Sequence, residues 1–191
     1  MHTNWILGVM AVVAALGLAG CPTQSTPPFD TTGDYAGRWS GITYDVPDET
    51  EGEVEGETEG EAPVVKQTIE GCPLELELIH DVNAITPGNY FVRGTATIDY
   101  TCIELPDRFV APPPSTVTVS GLLQQDGTLT LASGGCGTGY CVVLTLDGAG
   151  ADSDSDGFMD QYDGDWTWLL LLAGVAPFGS TGTYTLDLVT E

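Results

Sequence analysis

Five aspartates carry the most specific chemistry in the chain. Asp152, Asp154, Asp156, Asp160 and Asp163 fall at positions 1, 3, 5, 9 and 12 of a 12-residue stretch, with Gly157 at position 6. Ca²⁺ takes six to eight oxygens at about 2.4 Å, so carboxylates must alternate toward one centre while a glycine permits the sharp turn between them. The main-chain carbonyl of Phe158, at position 7, completes the expected set. The spacing predicts a structural Ca²⁺ site formed by Asp152, Asp154, Asp156, Phe158, Asp160 and Asp163. Asp163, shorter than the usual Glu, would bind through one oxygen or a water.

Nucleophilic and acid–base chemistry finds less support. His80 is the only histidine beyond His2, and its place near a turn predicts a surface residue. No Gly-x-Ser-x-Gly elbow and no zinc-type His cluster is present. A hydrolase using paired carboxylates remains the enzymatic alternative, but no pair stands out from the other acids. The expectation is a non-enzyme.

Cys72, Cys102, Cys136 and Cys141 form an even set without Cys-x-x-Cys spacing or a nearby His, which reads as disulfides made in an oxidising compartment. Cys136-Gly-Thr-Gly-Tyr-Cys141 closes a small turn. Cys72 and Cys102 are equidistant from Pro87, so a hairpin folded at Pro87-Gly88 would set them opposite each other. The predicted pairs are Cys72–Cys102 and Cys136–Cys141.

The elements that must hold these groups are strands. Leu74-Glu75-Leu76-Glu77-Leu78, Ala96 to Tyr100, Thr116 to Ser120, Thr128 to Leu131 and Tyr184 to Leu188 alternate apolar and polar residues, the mark of strands with one buried face. Pro-Gly, Asp-Gly and Gly-Gly turn signals separate them. The chain therefore reads as all-β, an antiparallel β-sandwich or up-and-down barrel of about eight or nine strands, in a single domain over 34–191. Trp166 to Leu172 is its most apolar stretch and reads as a central strand buried on both faces. Residues 48–61, dominated by Glu and Gly, cannot offset the entropy of ordering and predict a disordered acidic loop.

The N-terminus adds a destination. A polar start, an apolar run from Trp5 to Gly17 and small residues before Cys21 make a secretory signal over 1–20, too short to cross a membrane as a helix. Leu18-Ala19-Gly20-Cys21 closely resembles the lipobox of bacterial lipoproteins, although the start lacks the usual Lys or Arg. That resemblance implies cleavage before Cys21 and acylation of its thiol and new amino group, with Pro22 favouring an outer membrane over an inner one. Residues 21–33 then read as the lipidated cysteine and a flexible Thr/Ser/Pro tether. The 12-residue Asp loop is similar to those of EF-hands, dockerins and thrombospondin type 3 repeats, without the flanking helices of an EF-hand. Gly37-Arg38-Trp39 weakly resembles the lipocalin signature, in which the Trp plugs one end of a barrel.

All the formal charge lies at or beyond Cys21, 4 basic against 28 acidic residues for a net −24. Nucleic acid is excluded as an expected partner because phosphate binding needs clustered Lys and Arg. Together these readings predict a lipid-anchored envelope protein, periplasmic or surface-exposed. Its expected role is that of a non-catalytic binding or structural module stabilised by calcium and disulfides. A glycan, an apolar ligand or an envelope protein would be its partner, with Trp39, Tyr140, Trp166 and Trp168 as candidate lining residues. The alternative is a lipocalin-like carrier of a small apolar ligand.

Overall fold

The computed structural model describes residues 26–45, 65–86, 88–103, 115–137, 140–172 and 178–190. Cys21 and the acidic run 48–61 lie outside them. Eight strands follow one another: β1 (Gly33–Asp45), β2 (Val65–Thr86), β3 (Asn89–Ile98), β4 (Ser115–Gln124), β5 (Thr128–Gly137), β6 (Tyr140–Ala151), β7 (Gln161–Leu172) and β8 (Phe178–Leu188). Each pairs antiparallel with its neighbour in sequence, and β1 pairs with β8 from Tyr35–Leu188 to Asp45–Phe178, closing the sheet into an up-and-down barrel. Of the two all-β architectures the alternation allowed, the barrel is the one formed. Among the described residues there is no α-helix, only a 3₁₀ turn at Tyr100–Cys102.

The alternation sorts the side chains. Leu74, Leu76 and Leu78 of β2, Val92 and Ala96 of β3, Leu129 and Leu131 of β5, and Leu144 and Leu146 of β6 point inward and are buried. Glu75, Glu77, Thr118, Asp147, Asp165, Thr183 and Asp187 point outward and are exposed. A bilayer-spanning barrel presents an apolar band outward and penalises charges there, so this wall is built to face water.

Large rings laid over glycines fill the interior. One row of facing residues runs Trp39, Tyr184, Gly164, Gly148, Leu129, Leu123 and Tyr90 across six successive strand pairs. The Tyr184 side chain reaches over Gly148, where an added Cβ would come within 2.5 Å of the Tyr184 hydroxyl. Trp166 faces Gly182, and its ring meets that of Trp39 at 4.0 Å between centroids. Alternating large and small residues suits a closed barrel whose strands must also bend. Gly121 shows the bending: a Cβ there would run into the carbonyl of Thr130 on the next strand.

Both expected disulfides are formed, Cys72–Cys102 and Cys136–Cys141. Cys136 and Cys141 face each other across the β5–β6 hairpin. Cys72 depends on a bulge in β2, where Gly71 adopts φ +64° and donates its N–H to Ser40 Oγ at 3.0 Å, while its carbonyl accepts from Arg38 Nη1 at 2.6 Å. The extra residue shifts the inside–outside phase, so Ile69 and Cys72 both point inward, and Cys72 reaches Cys102 in the 3₁₀ turn.

Two expectations need correction. The Trp166–Leu172 run is not buried on both faces, because a barrel wall has only one dry side: Trp166, Trp168 and Leu170 fill the interior while Leu171 is exposed. The tether expected over 21–33 is docked from Thr26 onward, since Phe29 is buried and Asp30 bridges to Phe158.

Candidate functional site

One end of the barrel gathers the β2–β3, β4–β5 and β6–β7 turns and the segment 26–32, called here the strap. Leaving β1, the strap passes under the barrel mouth. Tyr35 of β1 donates its hydroxyl to the Thr31 carbonyl at 3.1 Å. Asp30 donates its N–H to the Gly157 carbonyl at 2.8 Å and accepts from the Met159 N–H at 2.9 Å. Phe29 then wedges beneath Gly150 and Gly127, where added Cβ atoms would lie within 2.6 Å and 3.5 Å of its ring. At Thr26 the carbonyl accepts from Gln125 Nε2 at 3.0 Å. Met159 is fully buried beside Gly150.

The β6–β7 connection against which the strap lies is the Asp loop. Asp152, Asp154 and Asp156 each bring a carboxylate oxygen within 4.8 Å of the others. The backbone fixes this convergence. Asp152 accepts from the N–H groups of Asp156 and Gly157 at 3.2 and 3.0 Å, Asp154 from that of Asp156 at 3.1 Å, and Asp156 from that of Phe158 at 2.9 Å. Gly157, at φ +93°, occupies the left-handed region that the turn requires, and Ser155 at +63° shares it.

Three of the six expected ligand positions thus meet at one point. Asp160 is engaged elsewhere: its Oδ2 accepts from the Ser153 N–H at 2.6 Å and the Ser153 hydroxyl at 2.5 Å. The hydroxyl bond first, and the backbone bond second, hold its pKa below the usual carboxylate value. Asp163 sits in the β7 ladder between Ala149 and Thr185, exposed on the outer wall. The main chain of Phe158 faces the strap through its bridge to Asp30, and its side chain is exposed. Three convergent hard oxygens suit Ca²⁺ or a similar cation, and further ligands would come from water or from movement of Asp160.

His80 is not the surface residue its sequence position suggests. It continues the inward row Leu74, Leu76, Leu78 and lies buried beneath the strap. Its N–H donates to Thr32 Oγ1 at 3.0 Å, and its Nδ1 accepts from the Thr31 N–H at 3.4 Å, with Asp30 Oδ1 at 3.5 Å. Nε2, the other ring nitrogen, is buried and has no hydrogen-bond partner among the described residues. Burial lowers the His80 pKa, and the carboxylates of Asp30 and Asp81 offset only part of that shift. The residue latches the strap to the barrel, a role that sequence reasoning missed.

The aromatics considered for ligand stacking are placed inside. Trp39, Trp166 and Trp168 are 2%, 3% and 1% exposed and offer no platform on the outer wall; the Tyr140 side chain lies outside the described residues. No family model, no curated protein and no solved structure matches this chain.

Proposed function

We propose that the protein is an exported bacterial lipoprotein, acylated on Cys21, whose barrel serves as a non-catalytic binding or structural module of the cell envelope. The observation that carries this reading is the closed, water-facing barrel stapled by two disulfides, a form suited to an oxidising compartment outside the cytoplasm. The lipobox at Leu18-Ala19-Gly20-Cys21 supplies the anchor, and Pro22 favours the outer membrane. In this reading Asp152, Asp154 and Asp156 hold a structural Ca²⁺ that stiffens the loop under the strap, and the partner is a glycan, an apolar ligand or an envelope protein. Feeding cells an alkynyl fatty acid tests the anchor: label on the protein, lost in Cys21→Ala together with membrane association, is the expected result. Unlabelled protein with reduced cysteines in the cytoplasmic fraction would sink the reading.

A second reading is a lipocalin-like carrier, favoured by the closed meander with Trp39 inside on β1. Trp39, Trp166, Tyr162 and Tyr184 occupy much of the interior such a carrier would need for cargo. Native mass spectrometry of protein taken from its own membrane separates the two, since a carrier retains an apolar molecule and a filled module does not.

A further inference from the structure

We propose that the parted seam between β4 and β5 is a docking site for an extended strand of a partner protein, one that lays a large apolar side chain inward beside Gly135. The inference deepens the reading of the barrel as a binding module and makes its partner a peptide chain; it needs neither the lipid nor a metal. The two strands pair only from Ser120–Ala132 to Leu123–Leu129, next to their turn. Beyond Ser120 each follows its other neighbour, β4 keeping to β3 as far as Ser115 and β5 keeping to β6 as far as Gly137. Residues 115–119 and 133–137 therefore have no partner across the seam among the described residues. The β2–β3 seam also stops short, at Leu74–Ile98. There, however, the 3₁₀ turn is tied back to β2 by Cys72–Cys102 and by Gln67 Nε2, which donates to the Cys102 carbonyl at 3.0 Å.

The strand phase shows which groups face the parted seam. Cys136 and Cys141 stand 4.0 Å apart at Cα, the close spacing of a pair that exchanges no backbone hydrogen bonds. Cys136 thus turns its N–H and C=O away from β6, and Gly134, two residues earlier, does the same. Thr130, in the same phase, does so where the seam is closed: its carbonyl lies against Gly121 of β4. On the other side Leu122 pairs with Thr130, so Thr116 and Thr118, in phase with Leu122, turn their backbone groups toward β5. Two free edges result, Thr116 and Thr118 on one and Gly134 and Cys136 on the other.

Backbone donors and acceptors in a row are answered by another extended backbone, as in strand addition. Exposed edges are ordinarily blunted by charge or proline, and Ser115 to Val119 and Ser133 to Gly137 hold neither. At Gly134 and Gly135 no side chain holds a second backbone away. Gly135 faces Val142 on the inward side, and Val142 packs half-buried on the core, as Val117 of β4 does. Yet Gly135 is exposed, and a Cβ built on it meets nothing within 4 Å. A guest residue opposite Gly135 shares its inward phase, so its side chain enters this opening and a large apolar group fits it. The guest residues opposite Gly134 and Cys136 point outward, in line with the exposed Thr116 and Thr118, and polar groups fit there. A net charge of −24 repels a second copy and attracts a basic chain. The guest is therefore a basic strand with alternate apolar residues.

The probe is the peptide Lys-Thr-Val-Thr-Phe-Thr-Val-Thr-Lys, and its control has the same composition with Val, Phe and Val made consecutive. Amide hydrogen exchange is followed by NMR on the full, oxidised protein. With a Kd near 0.1 mM, about 1 mM peptide should slow exchange at Gly134 and Cys136 about tenfold. Gly135, whose N–H already serves the β6 ladder, should keep its rate. Gly134→Pro removes a seam-facing donor without removing a β5–β6 bond, and should cancel the slowing at Cys136. Slowing below about twofold, or equal slowing by the control peptide or in Gly134→Pro, overturns the site. So does slow exchange at Gly134 and Cys136 without peptide: at every protein concentration it means that the chain covers its own edge, and growing with protein concentration it means that a second copy does. Lipid on Cys21 is read separately by intact mass, so failure of the anchor and failure of the docking site are told apart.

Discussion

Phe29 is the ring on which the strap turns, and its removal should open the strap without unfolding the barrel. The side chain is 7% exposed and lies against Gly150, Gly127 and Met159. Burying a Phe fully is worth about 1.5–3 kcal/mol. Phe29→Ala sits near a chain end that can relax, so a loss of about 2–3 kcal/mol from strap docking is expected. At 1.4 kcal/mol per decade, that corresponds to roughly 30- to 150-fold faster local opening. The reporters are the amides of Asp30 and Met159, which bond across the strap–loop contact. Hydrogen exchange should accelerate at both by that factor, while the amides of β3 and β4, remote from the strap, keep their rates. A change below about fivefold at Asp30 and Met159 would mean that the ring does not hold the strap. Equal acceleration throughout the barrel would mean that the strap is no separate unit, and the reasoning would fail in a different way.

Four further outcomes are expected. His80 titrates less readily in the folded than in the unfolded chain, so as pH falls through about 6.5 the unfolded state takes up the proton first and stability declines; urea melts at pH 7.5 and 5 should show this decline, and His80→Gln should flatten it. With a Kd near 0.1 mM, about 2 mM Ca²⁺ should contribute about 1.8 kcal/mol and raise Tm by roughly 4–7 °C over EDTA, an increase that Asp154→Ala with Asp156→Ala removes; scanning calorimetry showing no shift would leave the loop a solvated turn. The disulfides differ in the loop they close, 30 against 5 residues in sequence separation, so breaking Cys72–Cys102 should cost about 4 kcal/mol and Cys136–Cys141 about 2 kcal/mol in equilibrium unfolding. Gly121→Val, whose side chain would meet the Thr130 carbonyl, should cost more than 3 kcal/mol or abolish the folded circular dichroism spectrum; a melt within about 1 kcal/mol of the parent would contradict the close strand approach.

Local patterns announced the local structure. Leu74-Glu75-Leu76-Glu77-Leu78 became the inward and outward faces of β2, and Asp126-Gly127 became the β4–β5 turn, with Gly127 at φ +88°. The Pro87-Gly88 hairpin and the spacing of Cys136 and Cys141 gave both disulfides. What stayed hidden was non-local or carried by single residues. Sandwich and barrel share the same alternation, and only the pairing of β1 with β8 separates them. The strap reads as a linker because its one large apolar residue, Phe29, has no periodic companions. His80 was legible after all: the Leu74, Leu76, Leu78 phase, continued by one step, puts it inside. At the Asp loop the sequence pointed to the right turn, but not to Asp160 turning toward Ser153 or Asp163 joining a ladder.

The meander also sets an order of assembly for a chain that emerges N-terminus first. Seven of its eight strand pairings join neighbours in sequence and can zip together as hairpins. The eighth joins Trp39 to Tyr184, so β1 keeps an unpaired edge until the C-terminal strand is delivered, and this closure carries the largest entropy of loop formation. An open edge of this kind is a template for pairing with other chains, which makes the interval before β8 arrives the period of greatest aggregation hazard. The strap needs the Asp loop beneath it, so residues 26–32, made early, must wait for the β6–β7 turn before they can dock.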